Sequence, residues 1–118
     1  MRAVAALALA GSLAACGKSV TPPPTAEQAL LSRPPDSRLA SLYAGSCKAC
    51  HAVSGTGAPL VHDRGAWDPR WKQGQAVLFD HAVQGYRAMP AGGQCASCNP
   101  SDFNALIRFM AGREDSAR

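Results

Sequence analysis

Cys47, Cys50 and His51, in the run Cys47-Lys48-Ala49-Cys50-His51, are residues whose types and spacing do chemistry together. Two thiols three positions apart at a helix end lie on neighbouring faces, so both can form thioethers with the two vinyl groups of one haem. The next residue then turns its imidazole onto the iron, which makes the five residues one unit for covalent haem attachment. Two other chemistries use parts of this pattern. A thioredoxin-like dithiol sits where a strand feeds a helix, and no strand-like alternation precedes Cys47. A second pair, Cys95-Ala96-Ser97-Cys98, allows tetrahedral zinc on four thiolates. The stretch between the pairs is long for a zinc ribbon, that reading leaves His51 without a role, and it conflicts with the export signal described below.

A closed haem iron needs a ligand on its other face, and the chain offers Met89, Met110, His62 and His81. Met110 completes an apolar stripe with Phe103, Leu106 and Ile107 at helical spacing, so packing accounts for it. His62, before Asp63 in a loop, and His81, beside Asp80 in a helix, suit exposed positions or contacts to haem propionates. Met89 lies in a turn-rich stretch from Tyr86 to Gly93, where Pro90 restricts it to extended backbone and holds the thioether outward. Met89 is the expected sixth ligand.

The elements that must position these groups are helical, and the expected class is all-α, about four short helices around one haem. Asp36 caps a helix through Leu39, Leu42 and Tyr43 to the haem motif. After His51, glycines at 55 and 57 break regularity, and the loop Ala58-Pro59-Leu60 can pass beside the imidazole and accept its other ring N–H. Asp68-Pro69 suggests a helix start and Gly74 an end. A helix from about Gln75 to Gln84 should turn Ala76, Phe79 and Val83 inward and stop at Gly85. The last helix starts near Ser101-Asp102, and the tail from Arg113 should fray.

The N-terminus has a different character. One positive charge at Arg2, an apolar run and Leu13-Ala14-Ala15-Cys16 read as an export signal, too short to span a bilayer. Leu-Ala-Ala-Cys resembles a bacterial lipobox, which implies cleavage before Cys16 and acylation there, anchoring the chain on the periplasmic side of a membrane. Ordinary cleavage elsewhere would leave Cys16 a stray thiol. Residues 17–35 are rich in Pro, Thr, Ser and Ala and read as a tether, with one or two helical turns after Thr25 and a reach of roughly 60 Å. The expected organisation is signal 1–15, lipidated Cys16 and tether 16–35, haem domain 36–112 and tail 113–118.

A chain of 118 residues allows one domain, and the folded part is of a size at which a protein core alone is marginal. A buried haem would supply the missing core. A formal charge of +4 is no nucleic-acid footprint. Lys48, Arg64, Arg70, Lys72 and Arg87 could steer an acidic redox partner, form a solvated face or pair with propionates.

From about Leu42 to Met110 the chain resembles class I c-type cytochromes, and within them the cytochrome c5 group. The shared pattern is Cys47, Cys50, His51, Gly57-Ala58-Pro59, Trp67 with Arg70, Gly74, Leu78, His81, Gly85, Met89-Pro90, Gly92-Gly93, Cys95 and Cys98. The resemblance implies haem c on Cys47 and Cys50, axial His51 and Met89, a Pro59 carbonyl orienting His51, and a disulfide between Cys95 and Cys98. This chain departs from the pattern in carrying Asn99-Pro100 after the second disulfide cysteine, and in its lipid tether. The expected function is one-electron transfer between periplasmic or membrane redox partners, by a carrier and not an enzyme. The alternatives are a haem c subunit of a larger membrane-associated oxidoreductase and a haem-based sensor.

Overall fold

Capping chemistry sets most helix boundaries in the computed structural model, which describes residues 21–114. The signal segment, Cys16 and residues 115–118 lie outside the described residues. Helix α1 (Ala26–Leu31) starts at Thr25, whose side chain accepts from the Gln28 amide while the Gln28 side chain accepts from the Thr25 amide at 2.8 Å. Helix α2 (Ser37–Gly45) starts at Asp36, whose carboxylate accepts from the Leu39 amide at 2.8 Å. A single turn, α3 (Lys48–His51), carries the haem motif. Then come α4 (Arg64–Trp71), α5 (Gln75–Gln84), a 3-10 turn at Ala91–Gln94 and α6 (Pro100–Met110). Among the described residues there is no strand, only an isolated bridge between Tyr86 and Met89. The all-α class holds, and the helices beyond the expected four are the short α1 and α3.

Several boundaries differ from expectation for local reasons. Helix α4 begins at Arg64 rather than at Asp68-Pro69, because Asp63 caps it by accepting from the Ala66 amide at 3.2 Å. Asp68 is occupied elsewhere, accepting from Arg64 and Arg113, each at 2.8 Å. Helix α5 buries Leu78 and Ala82 and leaves Ala76 and Val83 exposed, a rotation from the expected face. Its packing on Ile107 and Phe103 of α6 selects that face. In α6, Asn99 is the cap, reciprocated by Asp102, and Pro100 is the first helical residue. Asn99-Pro100 is thus the helix start itself. Arg113, expected in a frayed tail, is held by Asp68 and lies over the Trp71 ring, 5.8 Å from its centre.

The core has two parts. One gathers Tyr43, Val61, Trp67, Leu106, Phe109 and Met110, with Ala29 of α1 fully buried in it. The other gathers Leu78, Ala82 and Ile107, with Phe79, Met89 and Phe103 packed against them. Trp71 touches both. Where α2 meets α6, Tyr43 crosses Phe109 edge to face, ring centres 5.0 Å apart.

The Tyr43 hydroxyl is buried with no hydrogen-bond partner, and burial pushes its pKa from 10.0 up to about 12. The neutral form is favoured in the folded state, so stability is complete below pH 10.0 and declines as pH rises toward about 12. Tyr43→Phe should therefore melt within about 1 kcal/mol of the native protein at pH 7 and show less loss above pH 10. Melting curves from pH 7 to 11.5 check this, and equal alkaline losses in both proteins would contradict it.

Candidate haem site

His51 closes α3 and is buried, 7% exposed. Its Nδ1–H donates to the Pro59 carbonyl at 2.8 Å, which leaves the Nε2 lone pair for a metal. The loop that supplies this carbonyl is itself held. The Val61 amide donates to the His51 carbonyl at 2.7 Å, and Trp67 Nε1–H donates to the Leu60 carbonyl at 2.8 Å. The Trp67 ring also stacks beside the His51 imidazole, centres 5.8 Å apart. Burial lowers the His51 pKa, the Pro59 bond works against this, and the Arg70 charge adds to the lowering. The ring is therefore held neutral, the form a metal needs.

Cys47 and Cys50 flank the same turn as free thiols, Cys47 partly buried and Cys50 exposed. Burial raises the Cys47 pKa, opposed by the Ser46 hydroxyl at 3.5 Å. Cys95 and Cys98 are joined as a disulfide with Cα atoms 5.4 Å apart. That pairing removes two of the four thiolates a zinc reading requires.

Met89 packs on the other side of the core, against the Leu78, Ala82 and Ile107 cluster. Its loop is tied by two reciprocal backbone hydrogen bonds with Tyr86, each 3.0 Å. Two glycines make room for it. At Gly93, with φ +53°, a Cβ would stand 3.1 Å from Met89 Cε; at Gly85, with φ +88°, it would stand 3.1 Å from the Met89 carbonyl. The other candidate ligands are engaged elsewhere. Met110 is buried in the Tyr43 and Phe109 cluster, and its carbonyl accepts from the His62 amide at 2.7 Å. His62 adopts φ 64° and sets its ring edge on Phe109, with Nε2 buried rather than exposed. His81 stacks on Tyr86, centres 3.9 Å apart, and the Arg87 guanidinium lies over the Tyr86 ring, 5.3 Å from its centre.

These residues fit a haem. A neutral imidazole stacks on Trp67 of one core cluster, a thioether packs on the other, two thiols flank the imidazole on α3, and Leu60, Phe79 and Phe103 offer partly buried apolar faces. Of the basic residues expected at the haem edge, Arg64 is paired with Asp68, and Arg70 donates to the Ala66 carbonyl. Lys48, Lys72 and Arg87 form no ion pair among the described residues. Trp67 and Gly93 belong to the shared pattern named above, but their roles, a bond to the Leu60 carbonyl and room for the Met89 side chain, come from the fold.

Residues 34–110 match the family described as cytochrome C oxidase, cbb3-type, subunit III. The chain belongs to this cytochrome c family. It is 35% identical over 75 residues to cytochrome c-555 of Chlorobaculum tepidum, covering 60% of this chain and 69% of that protein. It is 34% identical over 73 residues to cytochrome c5 of Ectopseudomonas mendocina, covering 60% of this chain and 84% of that protein. A chain from the crystal structure of an electron transfer complex of nitrite reductase with cytochrome c matches with TM-score 0.58 and 29% identity. That match covers 67% of this chain and 96% of that one. The protein is a monohaem c-type cytochrome with covalently bound haem c, and it carries single electrons between redox partners.

Proposed function

We propose that Cys47 and Cys50 hold the haem by thioethers, that His51 Nε2 and Met89 Sδ are its axial ligands, and that Cys16 carries a lipid anchor on the periplasmic side of a membrane. The observation that carries the ligand assignment is the 2.8 Å bond from His51 Nδ1 to Pro59, with Met89 packed against the opposite half of the core. Haem supplies the one-electron iron couple. The chain's own residues hold its two faces: Pro59 fixes the imidazole, the Tyr86 to Met89 turn presents the sulfur, and the apolar lining excludes water. Soft sulfur and an apolar surround both favour ferrous iron and raise the potential. With His51 and Met89 both engaged in holding the iron, no position would remain open for a substrate, which supports a carrier rather than an enzyme. A reduced-minus-oxidised spectrum of the mature protein should show a c-type band, and the ferrous form should fail to bind carbon monoxide at neutral pH. Carbon monoxide binding would favour a sensor.

The family description favours a second reading, in which the chain is a haem c subunit of a larger membrane oxidoreductase. Co-purification from membranes under mild detergent distinguishes it. The anchor has its own test: Cys16→Ser should move the protein from the membrane to the soluble fraction.

A further inference from the structure

Helix α1 is fixed to the domain yet turns leucines to solvent. Ala29 is fully buried in the larger core cluster and Pro34 is buried, while the side-chain hydrogen bonds of α1 stay within Thr25–Ser32. Successive helical residues are about 100° apart, so burying Ala29 sends Leu30 and Leu31 outward. Leu31 is 74% exposed and Leu30 48%, the two highest values among the exposed large apolar residues. A helix this short is not stable alone, and its leucines add little to the core that holds it. Packing from α1 to Pro34 also shortens the leash. Only residues 17–24 then lie between Cys16 and the Thr25 cap, a length that could span about 25 Å in polyproline conformation, close to one domain diameter.

We propose that α1 is a foot that rests on the lipid surface, with Leu30 and Leu31 at the boundary between headgroups and acyl chains. This rests on the reading that Cys16 is lipidated. A weak contact suffices, because a short tether holds the helix at an effective concentration on the order of millimolar. Glu27, one turn before Leu31, and Arg33, two residues after it, carry opposite charges, so the proposed contact rests on the leucines rather than on anionic lipid. The domain then keeps one face to its membrane and exchanges electrons with partners in that same membrane.

The test uses the ferrous, lipidated holoprotein in phosphatidylcholine nanodiscs doped with a gadolinium-chelate headgroup lipid. Methyl relaxation at Leu30 and Leu31 should exceed that at the exposed Val77 and Val83 of α5 severalfold, and added salt should not reduce it. The double variant Leu30→Ser with Leu31→Ser should lower the contacting population about tenfold, read as lost enhancement at the Ala26 methyl, with the haem spectrum unchanged. Uniform enhancement across these methyls overturns the foot, as does concentration-dependent protection of the leucines by a second copy. The mass of the N-terminal peptide reports the anchor separately. If Cys16 proves unmodified, the anchor reading fails, and coupling its thiol to a maleimide lipid lets the same relaxation measurement decide the foot.

Discussion

Met89→Ala will keep its haem but open the iron, giving a high-spin spectrum and carbon monoxide binding that the native protein lacks. On the proposed assignment the thioethers at Cys47 and Cys50 do not involve Met89, so attachment would survive while one iron ligand is lost. The weak near-infrared sulfur-to-iron band of the ferric protein should disappear with it. Met89→His should keep the iron closed and lower the potential by on the order of 0.2 V, a fraction of the roughly 0.8 V that axial ligands span. Nitrogen stabilises ferric iron better than thioether sulfur does. Met110→Leu is the control. Met110 is buried beside Tyr43 and Phe109, a volume-conserving change there should cost less than about 1.5 kcal/mol, and the spectrum should stay native. A near-infrared band that survives Met89→Ala and vanishes in Met110→Leu would mean that the other methionine is the ligand.

What was legible in the sequence was what is decided within one or two turns of chain. The Cys47 to His51 run, the Asp36 cap of α2 and the apolar stripe of α6 depend on neighbours a few positions away, and each appears at its expected place. What was not legible depends on distant partners. That Asp68 is taken up inside α4 depends in part on Arg113, which reaches it from beyond the end of α6. The inward face of α5 is chosen by Ile107 and Phe103, and periodicity alone did not separate Ala76 and Val83 from Leu78 and Ala82. The same holds for α1, where a single alanine, fully buried, joins a Pro-rich stretch to the domain. At the site, residue types and spacing suggested the donors, while their support came from the fold. The Trp67 bond to Leu60 and the room that Gly93 leaves for Met89 Cε are contacts of folded loops, whose geometry residue types alone do not give.

The divided core leads to the other large effect. The two halves touch through Trp71 and share α6, but His51 stacks on Trp67 of one and Met89 packs against the other, so on the proposed assignment haem completes both. Covalent attachment keeps it there regardless of axial bonding. Cys47→Ser with Cys50→Ser should therefore release haem to acidic acetone and lower stability by at least about 3 kcal/mol, roughly 12–24 °C in melting temperature for a domain of this size. Either single variant keeps one thioether and should retain haem with a smaller loss. The second cysteine pair gives the contrast. Closing a loop of four residues constrains the unfolded chain little, so Cys95→Ser with Cys98→Ser should cost about 2 kcal/mol and leave haem bound. Acid-acetone extraction followed by calorimetry separates the two pairs. If the Cys47 and Cys50 double variant melts like the native protein, the two halves of the core cohere without haem, and its place as the centre of the fold is refuted.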